Sequence, residues 1–270
     1  MNRLFLGLLT GLAGHAALAA GDPGHPCLIE PYQRIEMRSP AEAIIDKVLV
    51  QRGARVQQGQ LLVQLDVGVE EAALAAAKYR AVMEGRVRTA QEKVEFAREK
   101  ARRRDELVKK KYVSAQDRDD AFSDLRLAEG ELVAANDDRN LAALEEKRLS
   151  QVMRQRQLRS PFSGVVTERL QNPGELAQTG EGARPILKLA QTHPLRVEVI
   201  LPVSSFGKIK ARSKADVAPE PPLSGRYQAT VQIVDSVVDS ASGTFGVRLE
   251  LPNPSGSIPA GVKCRVKFAE

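Results

Sequence analysis

Few side chains in this sequence could do covalent or metal chemistry. Its cysteines are Cys27 and Cys264, and beyond residue 19 its only histidines are His25 and His193. His25 and Cys27 offer two candidate ligands where a zinc site takes three or four, so no metal and no cofactor are expected. No Ser, His and Asp fall at motif spacing and no glycine-rich loop could cradle a phosphate, so no enzyme is expected either. A different kind of chemistry is offered by RRDELVKKKYVS, which places Arg103, Leu107 and Ser114 at the spacing R-x3-L-x6-S. An arginine donates to carbonyls or carboxylates, a leucine fills an apolar notch, and a serine caps a helix while presenting a hydroxyl, which together suit recognition rather than catalysis. Read alone, the same three letters also describe a solvated arginine, a packed leucine and a helix cap. Arg104 and Lys109 to Lys111 add charge at the same place, and a lysine run also describes a solvated surface.

The element that must carry this group is long and helical. Between Pro40 and Pro161 there is no proline, and from Val69 to Leu158 the only glycines are Gly85 and Gly130. Alanine, glutamate, lysine, arginine, glutamine and leucine dominate, all strong helix formers. Met83, Val87, Ala90, Val94, Ala97 and Ala101 advance in steps of four and three, the seam of a coiled coil, and Ala121, Leu125, Ala128, Leu132 and Ala135 repeat it before Arg139 and Glu146 interrupt. The stripe ends at Lys109 to Ser114, where Ser114 and Asp117 form an S-x-x-D capping signal that starts a second helix. Two arms of about 40 residues, at about 1.5 Å per residue, would reach roughly 60 Å. A spacer or an intermolecular coiled coil fits the periodicity too; an intramolecular hairpin fits best because the flanks repeat each other.

That repeat pairs RSPAEAIIDKVLVQRGARVQQG, from Arg38, with RSPFSGVVTERLQNPGELAQTG, from Arg159, so that Gly53 and Gly59 correspond to Gly174 and Gly180. Each copy reads as short strands with glycines at matched turns, and neither copy could bury its apolar face alone. Beyond Leu189 lie four further strand patterns, Arg196–Leu201, Tyr227–Val234, Thr244–Leu251 and Val262–Phe268, the last alternating Val262, Cys264, Val266 and Phe268 with Lys263, Arg265 and Lys267.

At the N-terminus, Arg3, an apolar run from Leu4 to Leu18 and Ala17-Leu18-Ala19 form the pattern of a cleaved secretory signal. The run is shorter than the roughly 20 residues of a membrane span, and no cysteine follows the cleavage site to carry a lipid. An exported chain meets oxidising conditions, in which Cys27 and Cys264 either bond to each other or remain two free or buried thiols. The formal charge of +6, or +5 once Arg3 is removed, is modest, so nucleic acid is not an expected partner.

The two flanks resemble the split biotinyl/lipoyl-type domain of the periplasmic adaptors, or membrane fusion proteins, of tripartite efflux and secretion systems (the HlyD/AcrA-like family). Lipoyl carriers hold a modified lysine at the turn joining the halves; Val67-Gly68-Val69 has none, so a carrier role is not implied. The stretch LELPNPSGSIPAGVKCRVKF is similar to the close of the family's β-barrel domain. The resemblance implies an α+β, multidomain chain: a split lipoyl-type β sandwich interrupted by a long antiparallel coiled-coil α-hairpin and followed by a β-barrel domain. The boundaries expected are a signal peptide at 1–19, an N-terminal tail at 20–33, lipoyl-type halves at 34–66 and 158–190, the hairpin at 67–157 and the barrel at 191–270.

The resemblance also implies that Arg103, Leu107 and Ser114 form the tip by which adaptors dock on TolC-like outer-membrane channels. The implied protein is a non-enzymatic adaptor in the periplasm of a Gram-negative envelope, peripheral to the inner membrane. It would link an RND or ABC transporter to the channel and self-associate into a ring, as a hexamer or trimer of dimers. The sequence ends at Glu270, after the last strand, where many adaptors return to build a membrane-proximal domain. Contact with the transporter is then expected through the barrel, the lipoyl-type domain or the tail. The alternative is an exported coiled-coil scaffold or chaperone with no channel partner.

Overall fold

In a computed structural model, residues 24–269 are described, so the signal-peptide reading lies outside the described residues. The chain divides into two compact units, one running from Arg34 to Ala190 and one formed by the segment up to Gln33 with Gln191 onward. In chain order the first elements are β1 (His25–Pro31), β2 (Arg34–Met37), β3 (Ala43–Val48), β4 (Arg55–Val56) and β5 (Leu61–Leu65). Then come α1 (Gly68–Ala81), α2 (Gly85–Lys109) and α3 (Ala115–Gln155), followed by β6 (Gln157–Arg159), β7 (Gly164–Arg169), β8 (Leu176–Ala177) and β9 (Leu187–Ala190). The chain closes with β10 (Leu195–Pro202), β11 (Lys214–Pro219), β12 (Tyr227–Val234), β13 (Thr244–Leu251) and β14 (Val262–Phe268).

The repeated segments build one domain by exchanging strands. Two four-stranded sheets form, in the orders β2-β9-β7-β4 and β6-β5-β3-β8, and each contains strands of both halves. Arg55 pairs with Val165 and Val56 with Gly164, while Leu176 pairs with Ile44 and Ala177 with Ala43, the same register written twice. The matched glycines hold the corners: Gly53 (φ 86°) donates to the Val166 carbonyl and Gly174 (φ 88°) to that of Ile45, both at 2.8 Å. The RSP serines also match, since Ser39 Oγ donates to the Ala41 carbonyl and Ser160 Oγ to that of Phe162, and both serines are buried. Ile45, Val56, Leu62, Leu65, Val166, Ile186 and Leu189 fill the space between the sheets. A half alone would leave those residues in water, at roughly 1.5–3 kcal/mol for each large side chain. A Cβ at Gly164 would lie 2.3 Å from the Ala190 carbonyl oxygen, so β7 approaches β9 more closely than any other residue permits. Gly164→Ala is expected to lower stability by about 1–3 kcal/mol in chemical denaturation, the usual cost of overpacking.

The insert folds back on itself. α2 buries Val87, Ala90, Val94, Ala97 and Ala101, and α3 answers with Ala121 and Ala128, flanked by the part-buried Leu125 and Leu132. Along one side of this seam three ion pairs recur every seventh residue, Arg86–Asp138 (3.1 Å), Lys93–Glu131 (2.7 Å) and Lys100–Asp124 (2.8 Å). Exposed pairs like these add at most about 1 kcal/mol each, but a one-turn slip would break all three, so they select the register. The first arm differs from the uninterrupted helix expected of it, because it breaks at residues 82–84 and Met83 is 53% exposed instead of packed in the seam. Gly85 follows the break, and Arg139 stands where the opposite seam should offer an apolar residue, beside a cleft of about 320 Å³. A long charged side chain cannot fill that gap, so the helix has nothing to pack on there and restarts.

The second unit is a closed barrel in the order β1-β10-β13-β12-β11-β14, its interior filled by Ile29, Val197, Leu201, Val217, Val231, Leu249, Val266 and their neighbours. The segment expected as an N-terminal tail therefore requires correction: His25–Pro31 is a barrel strand between β10 and β14. Cys27, Ile29 and Pro31 alternate inward with exposed neighbours, a period of two that the prolines at 26 and 31 hide. β11, where Ala215, Val217 and Pro219 are buried, is the other barrel strand absent from the sequence reading. Across β1, β10 and β13 the outer face carries Glu30–Arg196 (2.5 Å), Arg196–Glu198 (3.2 Å) and Arg248–Glu198 (2.8 Å). Inside, Cys27 and Cys264 face each other on β1 and β14 with Cα atoms 4.8 Å apart and form a disulfide, so the bridged alternative is the one the structure adopts.

Candidate docking site at the hairpin tip

α2 ends because its last carbonyls are satisfied by a reversal of the chain. Lys111 takes a left-handed conformation (φ 64°), its N–H bonds the Val108 carbonyl at 2.8 Å, and the Tyr112 N–H reaches back to the Leu107 carbonyl at 3.0 Å. That is a Schellman cap built on a lysine rather than the usual glycine. Two residues later Ser114 begins α3 with a complete capping box: Asp117 N–H donates to Ser114 Oγ at 3.2 Å, and Ser114 N–H donates to Asp117 Oδ2 at 3.0 Å. The Ser114 hydroxyl donates to the same carboxylate oxygen at 2.6 Å. Its proton is thus committed within the loop, and toward a partner the hydroxyl can only accept.

Arg103 is exposed, one turn before Leu107 on α2, with Nε–H donating to the Glu99 carbonyl at 3.3 Å and the rest of the guanidinium facing outward. Leu107 is half-buried in the last turn of α2 and Ser114 is exposed at the start of α3. All three fall in the terminal turns of the hairpin, and no hydrogen bond among the described residues joins one to another. Tyr112, 74% exposed at the apex, is an apolar group that the three-letter spacing did not single out.

The Ser114 hydroxyl, then its backbone N–H, hold the Asp117 carboxyl below the ordinary carboxylate range. A depressed folded-state value means that the cap stabilises the tip above the unfolded value and loses that contribution as pH falls through the folded one. Ser114→Ala is expected to cost about 1 kcal/mol, as N-cap removals do. It should also flatten the acid limb of a helicity-versus-pH titration, a difference that vanishes when Ser114→Ala is made in an Asp117→Asn background.

At the other end a clamp holds the hairpin to the sheets. Arg156, just past α3, is paired with the Glu70 carboxylate in the first turn of α1, while its Nη1 donates to the Glu42 carbonyl at 3.2 Å. The Arg156 carbonyl accepts from the Leu65 N–H at 2.9 Å, at the end of β5. Sequence reasoning missed this pair, since 86 residues separate its members and neither belongs to a motif. Among the described residues no helix is long and apolar enough to cross a membrane and no group of His, Cys, Asp and Glu could hold a metal.

Residues 79–150, from the end of α1 through most of α3, match the family model for the α-helical hairpin domain of RND membrane fusion proteins. Over those residues the chain is similar to that hairpin domain. The fold as a whole is similar to that of a solved structure: the crystal structure of MacA from Actinobacillus actinomycetemcomitans superposes with a TM-score of 0.74 at 18% identity, over 91% of this chain and 78% of that one. The membrane fusion protein Spr0693 of Streptococcus pneumoniae R6 aligns at 0.63 and 13% identity, over 91% and 97% of the two chains. Among curated relatives, the multidrug export protein AcrE of Escherichia coli K12 is 25% identical over 88% of this chain and 62% of its own length. The multidrug efflux pump subunit AcrA of the same strain is 24% identical over 88% and 60%. The chain thus spans about three fifths of the length of these relatives.

Proposed function

We propose that this protein is the periplasmic adaptor of a tripartite export pump, bridging an inner-membrane transporter and a TolC-like outer-membrane channel. The observation that carries the reading is the RND-type hairpin domain, whose two-helix arm ends in a doubly capped tip bearing Arg103, Leu107 and Ser114. A 41-residue α3 reaches about 60 Å from the strand-exchanged domain at 1.5 Å per residue, and a thin alanine-rich seam suits reach better than catalysis. The protein works through its surfaces and catalyses nothing. The relatives' names, a multidrug export protein and a multidrug efflux pump subunit, support small-molecule efflux, and the match to the RND-type hairpin model supports an RND transporter as partner. In this reading the strand-exchanged domain is the socket, the hairpin the arm, and the barrel a surface for the transporter.

At the channel, Arg103 donates to carbonyls or carboxylates, Leu107 enters an apolar notch and Ser114 accepts a hydrogen bond. Arg103→Asp and Ser114→Arg are expected to abolish both channel binding and export in whole cells, with helix content and delivery to the periplasm unchanged. Normal export by both variants would sink the docking assignment.

A further inference from the structure

The barrel has two unlike ends. Pro31 of β1 pairs with Leu195 of β10 at one of them; at the other, β10 and β12 finish and β11 and β13 begin. Across this second end the chain runs from β10 to β11, strands on opposite sides of the closed barrel, so residues 203–213 cross its mouth. Ile209 packs on the barrel core, while Lys208 and Lys210 on either side of it are exposed. Phe206 is anchored edge to face on Phe245, with ring centroids 5.2 Å apart, and is still 47% exposed. Val203 is 50% exposed, and its N–H donates to the Gly243 carbonyl at 2.9 Å, which ties this crossing to the loop between β12 and β13. That second loop carries Val237, 80% exposed.

The charge of the crossing is one-sided. From Val199 to Ala215 there is no acidic residue but four basic ones, and among the described residues Lys208, Lys210 and Arg212 make no ion pair. The acids of the neighbouring loop are drawn back toward the protein. Asp239 Oδ1 accepts from the Ala241 N–H at 2.8 Å and the Ser242 N–H at 3.2 Å, and Asp235 leans over Gly246 of β13, where a Cβ would collide with it. Unpaired cations by themselves describe a solvated loop. The apolar tips set among them, which no described part of the chain covers, call for a partner that is both anionic and apolar.

We propose that this end of the barrel rests on an anionic phospholipid surface. Val203, Phe206 and Val237 enter the headgroup region, and Lys208, Lys210 and Arg212 bind lipid phosphates. The contact is interfacial: two loop tips reach the boundary between headgroups and acyl chains, and nothing spans the bilayer. A protein partner would be met by a contiguous apolar core inside a polar rim, whereas here apolar tips and cations are interspersed along one crossing, as in segments that lie on membranes. The proposal goes beyond the adaptor reading, which gives the barrel a protein to touch.

The sequence contains no tryptophan, so a Val237→Trp variant reports on this end alone. The chain is purified from the periplasm with its disulfide intact and mixed with vesicles of phosphatidylethanolamine and phosphatidylglycerol. The tryptophan emission is expected to shift to the blue and to be quenched by brominated lipid, and neither change should occur with phosphatidylcholine vesicles. Leu28→Trp, on the outer wall midway along β1, should show neither with any lipid. Adding Lys208→Glu and Lys210→Glu to Val237→Trp should weaken vesicle binding at least about tenfold, because each cation near an anionic surface contributes roughly fivefold. High salt should act in the same direction. Both lysines are exposed, and circular dichroism equal to the parent's shows that the variant folds. No blue shift with anionic vesicles, an equal shift at Leu28→Trp or with neutral vesicles, or undiminished binding by the lysine variant would each overturn the proposal. So would a photoreactive residue at Val237 that, in cells, crosslinks to protein and not to lipid. Vesicles hold neither channel nor transporter, so failure here is distinct from failure of the adaptor reading.

Discussion

Breaking the Cys27–Cys264 bridge is expected to lower the stability of the barrel by about 4–5 kcal/mol. The bond joins residues 237 apart, and in the chain-entropy account a crosslink closing so long a loop removes more freedom from the unfolded chain than a short one does. It also ties the first strand of the barrel to the last, the one place where closure depends on a segment remote in sequence from the other five strands. Urea denaturation with and without reductant measures the effect directly, and Cys27→Ala, Cys264→Ala and the double variant should each match the reduced protein, because what is lost is one bond. Both cysteines are buried, so the reductant comparison, which alters no side-chain volume, is the cleaner arm. Equal midpoints in the two conditions would show that strand pairing alone holds β1.

The second large effect belongs to the root of the hairpin. Arg156→Ala is expected to cost about 2–3 kcal/mol, since it leaves the Glu70 carboxylate, 22% exposed, without its partner and removes the guanidinium from the Glu42 carbonyl. The figure sits below that for a fully buried pair because water still reaches both groups. The loss should be directional as well as energetic. Spin labels at Lys110→Cys and Gln58→Cys, both exposed positions, are expected to show a broadened tip-to-socket distance distribution in the Arg156→Ala background, with Arg156→Lys restoring part of the order. Unchanged stability together with an unchanged distribution would mean that the seam and sheets position the arm unaided.

These two predictions concern features that no local pattern in the sequence displays, whereas the hairpin was plain in it. A coiled-coil seam is written in steps of three and four, and burial of Val87, Ala90, Val94, Ala97 and Ala101 follows those steps residue by residue. The Ser114 cap was equally plain, because a capping box needs only two residues three apart and both of its hydrogen bonds form. The seam misled at Met83, where periodicity continued but packing did not, since what decides burial there is Arg139 on the facing helix. The prolines flanking Cys27 misled in the opposite sense: they read as a tail, yet proline is tolerated where an inward-facing alternation survives, and Ile29 is wholly buried.

Local periodicity, turn glycines and capping residues were therefore sufficient to define the hairpin, its reversal at Lys109 to Ser114 and the kinship of the two RSP segments, because each signal is complete within a few turns of chain. Tertiary structure decided the rest: that the halves exchange strands, that β1 closes the barrel, that Cys27 meets Cys264, and that Arg156 meets Glu70. Each of those depends on segments roughly 90 to 240 residues apart, and their approach is set by how whole sheets and helices bury their apolar faces, a sum over the fold that no short stretch of sequence contains.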